Sequence, residues 1–131
     1  MKLFNRSLLL LSLLIAGITQ STVLVARDLI PYNSETLTIA GTAAGFTSSK
    51  ITSSDPTATA NANVATFTVN CASGTTCILR FTVDGSTPTS SAGLRALYGD
   101  TVTVNGHVAI VNFRAIRETG TSVVIDSVYF H

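Results

Sequence analysis

Cys71 and Cys77 bracket Ala72-Ser73-Gly74-Thr75-Thr76, the first stretch of the sequence whose residue types could do chemistry. Two cysteines so close suit three roles: metal ligands, a redox pair, or a disulfide. A structural zinc site takes four ligands at defined spacing, and beyond these cysteines the chain offers only His107 and the terminal His131. Dithiol redox centres use a CxxC spacing, which this pair lacks. The disulfide asks only that Val69 to Cys71 and Cys77 to Leu79 pair as a hairpin around Gly74. Opposed residues in a non-hydrogen-bonded pair have α-carbons about 4.5 Å apart, near the short end of the range a disulfide spans. The spacing predicts a disulfide that pins a hairpin tip, and no metal.

The remaining chemistry-bearing residues are scattered. His107 follows Asn105-Gly106, a strong turn dipeptide, and reads as an exposed loop residue; no GxSxG or comparable setting supplies it with a nucleophile. Paired carboxylates for glycoside hydrolysis would have to come from Asp28, Glu35, Asp55, Asp84, Asp100, Glu118 and Asp126, most of which sit where turns or strand ends are expected. A calcium ion needs about six to eight oxygens, and Asp84 with Asp100 does not supply them. There is no phosphate loop or dinucleotide fingerprint. In Asp84-Gly85-Ser86-Thr87-Pro88 the expected roles are structural: Asp84 accepts backbone hydrogen bonds in an Asx turn, Gly85 takes a positive φ, and Pro88 limits the exit path. The reading is of a chain with no catalytic residue and no cofactor.

The elements that must position these residues are strands. Residues 1–26 are set apart first: Lys2 and Arg6 precede an apolar Ser7 to Ala16, then a more polar stretch leads to Val25-Ala26, the order of a secretory signal peptide cleaved after Ala26 or, alternatively, after Ser21, with an uncleaved apolar anchor as the competing reading. That leader is the one expected contact with a membrane. The remaining 105 residues carry 18 Thr and 11 Ser with short Val, Ile and Phe alternations, a composition suited to pleated strands. Strands are expected near Glu35 to Ala40, Phe46 to Ser53, Val64 to Cys71, Cys77 to Asp84, Asp100 to Asn105, Ala109 to Arg117 and Ser122 to Phe130, with Leu94 to Tyr98 a short extra strand or a turn. About seven short strands in one domain, 27–131, predict an all-β, immunoglobulin-like β-sandwich. Phe67, Val69, Phe81, Val83, Phe113, Ile125 and Tyr129 are its expected core.

Charge narrows the partners. Residues 27–131 hold six Lys or Arg against seven Asp or Glu, with no run of either sign, so nucleic acid is not an expected partner. Arg114 and Arg117 fall on opposite faces of one strand and make no patch. Sugar-binding modules usually display aromatic rings, often Trp; here Trp is absent and Tyr32 and Tyr98 are the candidate exposed rings.

Phe81-Thr82-Val83-Asp84-Gly85-Ser86-Thr87-Pro88-Thr89, Leu97-Tyr98-Gly99-Asp100-Thr101-Val102 and Phe113-Arg114-Ala115-Ile116-Arg117 resemble, in their order, segments of a group of small tailed-phage proteins of similar length, mostly uncharacterised, from structural gene regions. The same half of the chain, about Thr66 to Tyr129, is more weakly similar to the immunoglobulin-like module at the C-terminal end of chitobiases and other secreted glycosidases. The phage proteins have a shorter turn where this chain has its Cys71 to Cys77 hairpin. The resemblance implies a non-enzymatic structural protein, a decoration or tail-associated virion component that associates with itself or with other virion proteins. The alternative is a secreted or cell-surface module that binds a glycan or the envelope.

Overall fold

A computed structural model describes residues 29–52, 61–74 and 76–131. Its elements in chain order are β1 (Pro31–Ile39), α1 (Ser48–Ile51), β2 (Val64–Cys71), β3 (Ile78–Thr82), β4 (Leu94–Leu97), β5 (Thr101–Asn105), α2 (His107–Val111), β6 (Arg114–Thr119) and β7 (Val123–Phe130). The expected leader, with Asp28, Ser53, Asp55 and Thr75, lies outside the described residues.

The strands form two antiparallel sheets, one ordered β1-β7-β2-β5 and the other β4-β3-β6. This is the expected all-β sandwich of seven strands, and its last strand lies between the first two. Period-two patterning explains which residues face inward. Ala65, Phe67 and Val69 of β2 are buried while Thr66 and Thr68 between them are not, and Val123, Ile125, Ser127 and Tyr129 do the same on β7. Leu79 and Phe81 face them from β3.

Aromatic rings join the layers. Phe46 stacks on Phe113 with centroids 4.1 Å apart, Phe67 meets Phe113 at 5.4 Å and Phe81 at 5.8 Å, and Phe46 stands edge-on to Tyr129 at 5.4 Å. Offset and edge-on pairs of this kind add about 0.5–1.5 kcal/mol each beyond the area they bury. Of the expected core, all but the half-buried Val83 are buried. The opposite, solvent face of the larger sheet is polar: Asp126 accepts from Thr36 Oγ1 at 2.6 Å and from Asn70 Nδ2 at 2.7 Å.

Of the expected strands, one is absent and another is replaced in part by a helical turn. No strand forms over the described residues of Phe46 to Ser53; α1 stands there, with Ile51 buried, Ser48 and Ser49 exposed, and Phe46 buried just before it. The stretch from Ala109 begins as α2 and becomes a strand only at Arg114. Its β-branched residues suggest a strand, but Val108 and Val111 are exposed and only Ile110 is buried. A strand there would bury alternate residues; the helical turn instead drops one side chain, Ile110, into the core, and packing overrides local propensity.

The sides of the sandwich differ. The segment after β1 runs along β6, with Ala44 bridging Ala115 and Arg117 N donating to Ala40 O at 2.8 Å. On the other side the chain passes from β4 straight through Gly99 into β5. There Leu94, Leu97 and Tyr98 are about half exposed.

Candidate functional site

Cys71 and Cys77 are joined by a disulfide, with α-carbons 5.7 Å apart, inside the usual range for a native bridge. Cys77 is buried, and the tip it closes is held from outside as well. Ala72 N donates to Ser122 O at 2.9 Å, and Thr121 Oγ1 donates to Ser73 O at 2.9 Å. Gly120, at φ +83°, comes so near that a β-carbon on it would lie 2.2 Å from the Thr76 carbonyl oxygen. No other residue type fits that approach. The expected hairpin does not form: β2 pairs with β5 and β7 and β3 with β4 and β6, so the disulfide closes the loop that carries the chain from the larger sheet to the smaller one, and that loop is a fixed wall at one end of the smaller sheet.

The Asp84 turn lies at the far end of β3. Asp84 Oδ1 accepts from Ser86 N at 3.0 Å and from Ser86 Oγ at 2.6 Å, and Gly85 has φ +85°. The Ser86 hydroxyl, and then the Ser86 N–H, hold the Asp84 carboxyl below the ordinary aspartate range. Gly85 N donates to Asn112 O at 3.1 Å, which ties the turn to the chain entering β6. Pro88 is buried, with Gly93 packed against it. Asp100 is committed elsewhere, with Oδ2 accepting from Leu97 N at 2.7 Å. Among the described residues no group of three or more His, Cys, Asp or Glu could hold a metal ion.

His107 departs from the expected exposed loop residue: it opens α2, is half-buried, and its Nδ1 lies 3.1 Å from the Ala62 carbonyl oxygen. The chain turns back on itself here, and Gly106 N also bonds Asn63 O at 2.7 Å. Histidine therefore fastens the start of α2 to Ala62, two residues before β2.

Two polar constellations escaped sequence reasoning. On the outer face of the smaller sheet Glu118 Oε2 accepts from Arg80 Nε at 2.5 Å and from Arg95 Nε at 3.0 Å. The β3–β6 register pairs Leu79 with Arg117 and Ile78 with Thr119, so Glu118 is the extra residue of a bulge. That irregularity lets it reach arginines on two other strands. The second constellation is Glu35, whose Oε1 accepts from the Tyr129 hydroxyl and from Thr47 N at 3.0 Å. Burial, then the hydrogen bond and charge of Glu35, push the Tyr129 hydroxyl above its ordinary value. Glu118 and Arg80 are 38 residues apart and Glu35 and Tyr129 are 94 apart, and no local spacing announces either pair.

The described surface holds one site with the makings of recognition. Where the ends of β3, β4 and β6 meet, Thr76, Cys77, Ile78, Leu97, Tyr98, Thr119 and Gly120 line an open depression of about 540 Å³. Ile78 pairs with Leu97 on one side and Thr119 on the other, so all three lie on the outer face. Tyr32, the other candidate ring, is half-buried edge-on to His131 at 5.5 Å and borders a smaller depression. The structure separates the residues singled out in sequence: Asp84, Gly85 and Pro88 build a turn at the end of the smaller sheet opposite the disulfide, and only Cys77 borders the depression. Compared with protein-family models, curated proteins and solved structures, the chain matches none.

Proposed function

We propose that this chain is a non-enzymatic structural protein, a decoration or tail-associated component of a tailed-phage particle that associates with copies of itself or with other virion proteins. The observation that carries the reading is the work done by the three segments that resemble phage proteins. Phe81 to Thr89 supplies a core ring and the Asp84 turn; Leu97 to Val102 carries the chain from one sheet to the other; Phe113 to Arg117 stacks on Phe46 and bridges to Ala44. Each segment builds scaffold, and they do not converge on a shared cleft. Scaffold residues of this kind suit a protein whose product is its own surface. Quantitative mass spectrometry of purified particles, host envelopes and culture supernatant tests the reading. Several copies per particle at fixed ratio to capsid or tail proteins are expected; absence from particles with abundance in another fraction would overturn it.

A second reading, a secreted or surface-displayed module for a glycan or the envelope, is favoured by one observation: Tyr98 is half exposed at the rim of the depression beside the disulfide-closed loop. Removal of residues 1–26 and retention on cell-wall material are its expected signs.

A further inference from the structure

From the composition of that depression we infer that it is a subsite for one pyranose ring of a neutral glycan. The inference rests on the second reading above for its ligand class, and is compatible with the first, since a particle protein can carry a glycan site. A sugar ring has an apolar face of C–H groups and a rim of hydroxyls. The depression offers the matching pair: Ile78, Leu97 and the half-exposed Tyr98 give an apolar lining, and the Thr76 and Thr119 residues add hydroxyls at its margin. Its volume falls in the range of about 300–1,000 Å³ typical of small-ligand sites.

Position adds polar partners. Arg95 lies two residues from Leu97 on the same face of β4, about 7 Å along the strand. Its side chain is 48% exposed, and it gives its Nε to Glu118. Arg95 does not line the depression, so its guanidinium would serve only a glycan that extends beyond the one ring along β4. The charges nearby cancel in sign, Arg80 and Arg95 against Glu118 and Asp100, and both carboxylates are already hydrogen-bonded. No net field selects an ion, which is why the ligand is a neutral sugar and not an acidic one.

The walls are fixed before any ligand arrives. The disulfide holds Cys77, and the Gly120 contact holds Thr76 against the end of β6. Preorganised walls reduce the ordering cost of binding. A peptide adding to the β4 edge is the competing occupant, but β4 has four residues, a short ladder to extend.

The test titrates the full chain, disulfide intact, with dextran, laminarin, mannan and galactan, and with polygalacturonate as an acidic comparison, by affinity electrophoresis and by amide chemical shifts. Binding to one of the neutral polymers is expected, with shifts at residues 76–78, 97–98 and 119–120. Tyr98→Ala should weaken it about tenfold or more, a loss near 1.4 kcal/mol. Val108→Ser, on exposed α2, should leave it unchanged. Neutral-glycan binding that Tyr98→Ala does not alter overturns the site and leaves the second reading standing. Salt-sensitive binding to polygalacturonate alone overturns the ligand class. Binding to none of the polymers overturns both.

Discussion

Cutting the Cys71–Cys77 bridge gives the most quantitative check on how this fold is held. The closed loop spans seven residues, Cys71 to Cys77, and restricting that many in the unfolded chain is worth about 2.4 kcal/mol at 25 °C in the chain-entropy model. Unfolding entropy near about 2.1 cal/mol/K per residue, over about 100 folded residues, turns this into a fall in Tm of about 11 °C. The double variant Cys71→Ala/Cys77→Ala and the reduced wild-type protein should both show it in thermal unfolding followed by circular dichroism. The effect should also be felt next door: the Ala72 amide, bonded to Ser122 O, should exchange faster with solvent. A fall in Tm below about 3 °C in both proteins would refute the reasoning, because the denatured chain would then gain no freedom from the cut. A fall above about 20 °C in both would refute it from the other side, since the bridge would then hold native contacts that the entropy model omits.

Gly120→Ala should destabilise by more than about 2 kcal/mol, combining the left-handed φ with the collision against Thr76, whereas Gly74→Ala, at φ +72° with nothing nearby, should cost only about 1 kcal/mol; equal midpoint shifts in urea would contradict the close approach. Tyr129→Phe should cost about 1–2 kcal/mol, because a buried hydroxyl bonded to a carboxylate is lost while Thr47 N still occupies Glu35; no change in the unfolding midpoint would remove that bond from the account. The folded Tyr129 hydroxyl titrates above its unfolded value, so its contribution is complete below about pH 10 and is lost as pH rises toward the folded value. Wild-type stability should therefore decline more steeply above about pH 10 than that of Tyr129→Phe, and parallel pH profiles for the two proteins would contradict the assignment.

Much of this was legible in the chain itself. Alternation of Phe67 and Val69 with Thr66 and Thr68, and of Ile125 and Tyr129 with Asp126 and Val128, named strands, inward faces and the sandwich class, because a period of two follows from strand geometry alone. The six-residue separation of Cys71 and Cys77 announced the disulfide, and Asp84-Gly85 the turn, since both are local geometries; that the bridged loop crosses between the sheets instead of closing a hairpin was decided by strand pairing. Only the tertiary structure decided the rest. Val108 to Val111 has strand composition, yet it closes as a helical turn because one side chain, Ile110, was needed in the core. Glu118 meets Arg80 and Arg95 because of a bulge, and Tyr98 lines one depression with Thr76 and Thr119 because three strand ends converge. Such meetings depend on register and on sheet-to-sheet placement, which are set by many distant contacts at once and by no spacing along the chain.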